Sequence, residues 1–230
     1  YLRDAQDIIK KPIFWATDKP ILRAYAHYFT GVAMIFQRVV GGNTTYFLGE
    51  VSNLGWWHYF PIVYLIKEPI ALHILTLIAL LYGLWLLFRS KFWLKTHFTE
   101  FAMLAFIAFY WVVSIKGSLN IGVRHLLPVF PFTMILVAAA AVKLLKEPYL
   151  KIKFLILAAL VLWQAFSVAA VYPHFLAYFN EFVGGPDQGY KYVVDSNLDW
   201  GQHLKRMKKW TDQKGIDKIY VDYFGGGSPE

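Results

Sequence analysis

The sequence predicts an α-helical protein that crosses a membrane several times and carries a small polar segment after its last crossing. Hydrophobic residues occupy 57% of the 230 positions and the mean hydropathy is +0.41, which is more apolar than a water-soluble domain of this length. Four apolar runs are long enough to cross a hydrocarbon core about 30 Å thick: 61–88, 99–115, 126–142 and 154–172. Because the backbone must satisfy its own hydrogen bonds in lipid, we expect each run to be a helix.

The positions of the positive charges predict how these helices are oriented. The net charge is +8, but the Lys and Arg residues lie in short clusters beside the apolar runs, as in cytoplasmic loops of membrane proteins. We therefore predict no nucleic-acid partner. The clusters lie between the first and second runs (Arg89, Lys91, Lys95) and between the third and fourth (Lys143, Lys146, Lys151, Lys153). We expect both loops in the cytoplasm, and both chain ends and residues 116–125 on the outward side.

Residues 1–60 are predicted to form an outward segment that contains an interfacial helix. Apolar residues recur at helical spacing over 21–40, but the longest uncharged stretch, 24–37, is short for a span. An amphipathic helix that lies in the membrane surface is favoured. Four aromatic residues at 56–60 then resemble the aromatic belt of a membrane surface. Residues 61–172 follow as the transmembrane domain with its four helices.

Residues 173–230 are predicted to form a small outward α/β segment. A short strand near 193–194, a helix near 200–212 and a second strand over 218–223 make one strand–helix–strand unit. Such a crossover is right-handed and its strands are parallel. The loop 195–199 would lie at the carboxyl end of the first strand, where open α/β sheets bind ligands. Since the chain starts without Met and ends in a turn-like stretch, we expect a part of a longer protein.

The polar loop after residue 194 has two interpretations. Asp195, Asn197 and Asp199 alternate as at the start of a calcium loop, but Trp200 stands where that loop needs Gly and Arg206 where it needs Glu. These side chains either form turns and helix caps or hold a divalent ion or sugar hydroxyls. No metal site is predicted. The absence of Cys excludes disulfides, thiolate catalysis and Cys-ligated metals.

Two outward positive charges are candidates for binding a phosphate group. Arg124 and His125 precede the third apolar run, against the usual charge bias, and Lys67 lies beside Glu68 in the first turns of the first run. A guanidinium presents a fork of donors that matches phosphate oxygens, and charges at membrane depth tend to be functional. The alternatives are an Arg that snorkels to lipid headgroups, and a Lys–Glu pair that neutralises itself beside a proline kink.

Outward carboxylate and amide groups near aromatic residues suit a carbohydrate. Asn180 and Glu181 follow an aromatic run and precede a Gly-Gly-Pro turn, and Glu50 precedes the aromatic belt. Sugar CH groups stack on aromatic rings while the hydroxyls bond to polar side chains. An interfacial aromatic collar with a tight turn explains the same residues, and Glu50 is either a structural partner or a site residue.

Three stretches together resemble a known family. They are GEVSNLGWWHYFPIVYLIKEP, NIGVRHLLPVFPF and YPHFLAYFNEFVGGPDQGYKYVVDSNLDWGQHLKRMKKW, in this order. They are similar to the C-terminal half of multi-pass glycosyltransferases of the family 39 type, which have a GT-C fold and are related to protein O-mannosyltransferases and lipid A aminoarabinose transferases. The resemblance covers nearly the whole chain from about Arg23, and the DSNLDWGQ block is its most specific part.

The resemblance implies an activity and a location. Such an enzyme transfers a sugar from a polyprenyl-phosphate donor to a protein, lipid or glycan hydroxyl, without a cofactor or a metal. It works among membrane lipids on the outward face of the plasma (inner) membrane. The family's acidic base is expected in an outward loop upstream of these residues, so no residue here is assigned as the base.

The resemblance also implies roles for individual residues. The donor phosphate is expected to contact Arg124, Lys67 and His125. The residues expected to contact the sugar or acceptor, or to form the scaffold of the site, are Glu50, Asn180, Glu181, Asp195, Asn197, Asp199 and Gln202. Two other functions stay open: a transporter or flippase of lipid-linked sugars, for which discontinuous helices in paired positions would speak, and a non-catalytic scaffold that binds a glycan.

Overall fold

The computed structural model describes residues 12–89, 96–147 and 151–221. Residues 12–17 are helical. The α-helices that follow them and are used below are α1 (Arg23–Gly41), α2 (Tyr59–Lys67), α3 (Ile70–Arg89), α4 (Phe98–Lys116), α5 (Phe130–Lys146), α6 (Ile152–Ala170) and α7 (Leu204–Lys214). Two short strands, β1 (Thr45–Phe47) and β2 (Glu50–Ser52), lie between α1 and α2. A 3-10 helix, Val123–Val129, runs directly into α5.

Four helices are long and apolar enough to cross a membrane, which confirms the number expected from the sequence. They are Ile70–Arg89, Phe98–Lys116, Val123–Lys146 and Ile152–Ala170. Between 6% and 22% of the residues in their most apolar windows are buried inside the protein. Most of their apolar side chains therefore lie on the outside, where lipid can cover them. The direction in which the helices cross stays a prediction.

The first predicted span is wrong in one respect, because it is two helices. α2 ends at Lys67 and α3 begins at Ile70. Glu68 between them is extended, with φ −102° and ψ 148°. The cause is Pro69, which lacks an N–H and disfavours the helical conformation for the residue before it. The apolar pattern continues across this point, so hydrophobicity alone did not reveal the break.

The core lies where α2, the 3-10 helix and the segment after α6 meet. Its fully buried members include Tyr59 and Phe60 of α2, Leu126 of the 3-10 helix and Phe179 of the later segment. We call this region the polar end of the helices, because the buried polar side chains described below surround it. The prediction places this end on the outward side.

The strands form an antiparallel hairpin that packs on the later segment. Leu48 and Gly49 connect them with φ values of 52° and 93°, the positive values that a tight hairpin turn requires. The N–H of Leu48 donates to the carbonyl of Tyr192 at 2.9 Å, and Phe47 forms an isolated antiparallel bridge with Val193. The hairpin therefore joins residues before the first span to residues after the last.

The predicted strand–helix–strand unit is wrong, although its helix is confirmed as α7. Val193 pairs with Phe47 in an antiparallel bridge, and residues 216–221 have no regular structure. The last two residues of the second predicted strand lie outside the described part. Residues 175–197 instead form four short 3-10 helices. Asp195 has a φ of 57°, so the chain turns where a strand would have continued.

Helix α1 confirms the helix predicted over 21–40. Tyr25, Tyr28, Phe29 and Phe36 are more than half exposed on it. The described residues leave this apolar surface uncovered. Its location in a membrane surface stays a prediction.

Candidate functional site

Asn180 closes the break between α2 and α3. Its Nδ2 donates to the carbonyls of Leu65 at 2.6 Å and Glu68 at 2.8 Å, and its N–H donates to the carbonyl of Ile66 at 2.9 Å. These carbonyls lie at the end of α2, where no further helical N–H follows. Asn180 is 1% exposed. It is therefore a buried part of the scaffold of the polar end.

Lys67 is also directed into the protein. Its Nζ donates to the carbonyls of Leu176 and Asn197, both at 2.7 Å, and lies 4.3 Å from the ring centre of Phe179. Only 7% of the residue is exposed. Burial lowers the pKa of Lys67 to about 7, against the opposing charge of Glu68. A contact with a donor phosphate would require the Nζ to leave both carbonyls.

The pKa of Glu68 is shifted in the opposite direction. Burial raises the pKa of this half-buried carboxyl to about 7, although the charge of Lys67 lowers it. Among the described residues no ion pair forms between the two side chains, since Lys67 is engaged by backbone carbonyls. Burial therefore favours the neutral form of both side chains.

Asn197 joins α2 to the start of the 3-10 helix. Its Oδ1 accepts from the N–H of Val123 at 3.3 Å, and its Nδ2 donates to the hydroxyl of Tyr59 at 3.2 Å. The residue is 4% exposed. Gly122 has a φ of 97°, and a Cβ there would lie 2.7 Å from this Oδ1. A glycine is therefore needed for the loop before Arg124 to approach Asn197.

Arg124 is the predicted phosphate-binding residue whose donors have no partner among the described residues. Its guanidinium carbon lies 4.2 Å from the ring centre of Trp200, and the residue is half-buried. Within the described parts of the chain its N–H groups have no hydrogen-bond partner and it forms no ion pair. Stacking on an indole fixes the plane of a guanidinium and leaves its edges available. The geometry suits a ligand with two oxygen atoms side by side.

Trp200 is itself held in place. Its Nε1 donates to the carbonyl of Ser196 at 3.2 Å. Its N–H donates to Oδ1 of Asp199 at 2.8 Å and to Oε1 of Gln202 at 2.6 Å. Asp199 and Gln202, both exposed, therefore fix the turn that carries the indole. Of the two interpretations left open for this loop, turn formation describes Asp199.

Asp195 carries a free carboxylate at the same end. It is exposed, and its side chain has no hydrogen-bond partner in the described residues. Burial raises the pKa of Tyr59 to about 12, and among the smaller effects the charge of Asp195 raises this pKa while that of Arg124 lowers it. The two opposite charges therefore both act on the Tyr59 hydroxyl without forming an ion pair with each other.

Three further predicted residues lie apart from the stacked Arg124. The ring of His125 stacks on Phe60, with centroids 5.1 Å apart and planes 28° apart, so it packs against the core. Glu181 accepts from Nε1 of Trp163 at 3.3 Å. Glu50 is exposed in β2, opposite Phe47. Among the described residues, none of these three side chains forms a hydrogen bond or an ion pair with Arg124.

Two features of the polar end were not predicted from the sequence. Asn120 is 1% exposed, and its Oδ1 accepts from the N–H of Trp56 at 2.7 Å. The spacing of the residues around Asn120 gave no indication that it would be buried. Trp200 was noted only as a mismatch to a calcium loop, whereas its proximity to Arg124 makes it the platform of that side chain. An aromatic residue inside a polar loop was the available signal.

An apolar groove runs along the helices. It has a volume of about 330 Å³ and is bounded by α3, α4 and α5, with Tyr64 and Lys143 among its lining residues. Tyr64 belongs to α2 and Lys143 to the last turn of α5. The groove thus connects the polar end to the opposite end of the bundle.

No group of three or more metal-ligating side chains converges within residues 12–89, 96–147 and 151–221. Comparisons of the chain with family models, curated proteins and solved structures find no match. The helices themselves place the chain, by length and composition, among plausible multi-pass membrane proteins.

Proposed function

We propose that this chain belongs to an enzyme that transfers a sugar from a polyprenyl-phosphate donor to a protein, lipid or glycan hydroxyl at the outward membrane face. Two independent lines support the proposal. One is the resemblance carried by the three sequence stretches. The other is the free guanidinium of Arg124 on the face of Trp200, which is the single observation that carries the assignment of a donor phosphate site.

The location of Arg124 suits a phosphate on a lipid. It is the second residue of the 3-10 helix that leads into the third apolar helix. A phosphate whose isoprenoid tail lies in the membrane would be at this depth. In the proposal, the tail lies in the groove between α3, α4 and α5, which is lined mainly by apolar side chains but also by His97, Glu100 and Lys143.

In the proposed reaction the acceptor oxygen bonds to the anomeric carbon as the bond from that carbon to the phosphate oxygen breaks. The lipid phosphate leaves with the electron pair and gains negative charge. Arg124 stabilises that charge through its N–H groups. The acceptor proton passes to a carboxylate base, which the resemblance places in an outward loop upstream of these residues. Asp195 is proposed to bond to hydroxyls of the sugar or acceptor.

The other predicted residues have supporting roles in this proposal. Lys67, Asn180 and Asn197 hold α2, the 3-10 helix and the later segment together by buried hydrogen bonds. Asp199 and Gln202 hold Trp200. Arg124 can therefore stay in position while its own donors are free, which is the preorganisation that charge stabilisation requires.

One feature of the structure bears on the transporter alternative. The α2–α3 break is a discontinuous helix, and such breaks hold ions and substrates in many transporters. Here, however, the carbonyls of Leu65, Ile66 and Glu68 at the break accept hydrogen bonds from Asn180. They are occupied by the protein itself, and this favours the transferase.

A transfer assay distinguishes the proposals. The full-length protein in liposomes is supplied with a panel of polyprenyl-phosphate sugars, and free polyprenyl phosphate is measured. We expect release of polyprenyl phosphate that depends on an added acceptor. Movement of the intact donor between leaflets, without its cleavage, would instead identify a flippase. Saturable glycan binding with neither reaction would identify a scaffold.

A further inference from the structure

A second basic cluster lies beside the loop of Trp200. It combines His174, which follows α6, with His203 and Arg206 at the start of α7. The rings of His174 and His203 have centroids 4.9 Å apart. Nη1 of Arg206 lies 3.2 Å from Nδ1 of His174 and also contacts its Nε2.

The cluster has no acidic partner. Across the residues that the structure describes, none of its three members forms an ion pair. Two of the three carboxylates in residues 195–212 are engaged elsewhere: Asp199 accepts from the N–H groups of Trp200 and Gly201, and Asp212 pairs with Lys208. The third, Asp195, forms no ion pair with the cluster among the described residues. Positive and neutral basic groups that converge without a counter-charge make a favourable place for an anion.

Hydrogen bonds determine which ring nitrogens remain available. Oε1 of Gln202 accepts from Trp200, so its Nε2 faces Nε2 of His203 at 3.1 Å and donates to it. In neutral His203 the proton is then on Nδ1, a donor with no hydrogen-bond partner in the described parts of the chain. Arg206 is exposed, and its Nη1 contacts His174. The other nitrogens of its guanidinium group have no hydrogen-bond partner among the described residues.

The cluster lies close to the membrane end of a span. His174 is four positions beyond Ala170, the last residue of the fourth candidate span. Helix α7 adds exposed Lys205, Lys208 and Lys209 together with Trp210, which is 47% exposed. Basic residues with an exposed indole are typical of surfaces that contact anionic headgroups.

We infer that His174, His203 and Arg206 form a second anion site, which binds the phosphate of an anionic glycerophospholipid headgroup and so anchors α7 to the membrane surface. The inference does not depend on the proposed transferase activity. The second site uses side chains other than Arg124. Gln202 connects the two sites, because it is hydrogen-bonded both to Trp200, which stacks on Arg124, and to His203.

Native mass spectrometry of the full-length protein in a neutral detergent tests the inference. The first binding constant is measured for dioleoylphosphatidylglycerol and for dioleoylphosphatidylcholine, and calorimetry is used for inorganic phosphate. We expect tighter binding of phosphatidylglycerol, weakened about tenfold in Arg206→Gln, since an Arg–phosphate contact contributes on the order of one decade in affinity. His203→Gln should weaken it by a smaller factor.

Lys205→Gln is the matched control, because it removes one positive charge from the same exposed helix turn but lies outside the cluster. Equal losses in Lys205→Gln and Arg206→Gln would overturn the inference in favour of general attraction to a basic helix. Equal affinity for the two lipids in the wild type would also overturn it. Binding of inorganic phosphate that depends on Arg206, without a preference for phosphatidylglycerol, would overturn the assignment to a lipid headgroup. Thermal unfolding of each variant verifies that it is folded.

Discussion

Nδ2 of Asn180 lies 2.6 Å from the carbonyl oxygen of Leu65, 115 positions earlier in the chain. The contact joins the segment after the last span to the break in the first predicted span. The polar end is thus built from residues that precede and follow the four long apolar helices in the chain, and its geometry depends on a few buried hydrogen bonds.

Asn180→Ala is expected to destabilise the protein strongly. It removes the donor to the carbonyls of Leu65 and Glu68, of which Leu65 keeps only the ring nitrogen Nε2 of His73 at 3.0 Å, and it removes the acceptor of the N–H of Phe182. The expected cost is about 2–5 kcal/mol, measured by thermal unfolding in detergent, because each buried unpaired polar group costs about 1–3 kcal/mol. Asn43→Ala is the control, since its amide donates only to the neighbouring carbonyl of Thr44 at an exposed position. Equal stability of the two variants would show that the cap is dispensable.

Lys67 is expected to make the free energy of unfolding depend on pH. Its pKa is about 7 in the folded protein, against 10.5 for a lysine that is fully hydrated, as in an unfolded chain. Between these values the unfolded chain binds more protons, so stability rises with pH in this window, by at most about 1.4 kcal/mol per pH unit. Lys67→Met should remove this rise, whereas exposed Lys151→Met should retain it. Parallel unfolding profiles for wild type and Lys67→Met over this window would contradict the assignment.

Trp200 is expected to affect the donor and not the acceptor. Trp200→Leu removes the aromatic face that positions Arg124, and a cation–π contact contributes about 0.5–2 kcal/mol. We expect kcat/KM for the donor to fall roughly 2- to 30-fold, with a smaller loss in Trp200→Phe. Trp57→Leu, at a residue 71% exposed, is the control. A loss that follows the acceptor, or an equal loss in the control, would remove Trp200 from the donor site.

The orientation of the helices can be tested directly, because the chain has no native Cys. The charge bias predicts that position 151 is cytoplasmic and that Gly185 is outward. Since Gly185 has a φ of 80°, the exposed neighbour Asp187 is the better site for Cys. Lys91, also predicted to be cytoplasmic, lies outside the described residues. An impermeant maleimide added to intact cells should label Asp187→Cys and leave Lys151→Cys unlabelled; the reverse pattern would invert the topology.

The sequence was sufficient for the helices and insufficient for the polar end, for physical reasons. Apolar runs of this length have few structural solutions in lipid, so the four long helices followed from composition. The break at Pro69 was visible as Lys-Glu-Pro, but the apolar pattern on both sides concealed it. The parallel strands were wrong because a short alternating run specifies no partner, and Phe47 supplied an antiparallel one instead.

The site residues show the same limit. The sequence identified Arg124, Lys67 and Asn197 as polar side chains in unusual positions, but it carried no information on which of them would be buried. The fold engages Lys67 with two carbonyls and Asn197 with Val123 and Tyr59. Arg124 pairs with Trp200 because two loops that are far apart in the chain meet in space. The spacing of residues in the sequence does not indicate such a contact.

The most direct test of the central claim is a donor titration of Arg124 variants in the full-length protein. Removing one donor that stabilises developing charge costs on the order of 3 kcal/mol. We therefore predict that Arg124→Ala lowers kcat/KM for the polyprenyl-phosphate sugar by about 100-fold, independently of the acceptor. Arg124→Lys should retain partial activity, because it keeps the charge and loses the fork, and exposed Lys191→Ala should be unaffected. Wild-type rates for Arg124→Ala at limiting donor would contradict the account.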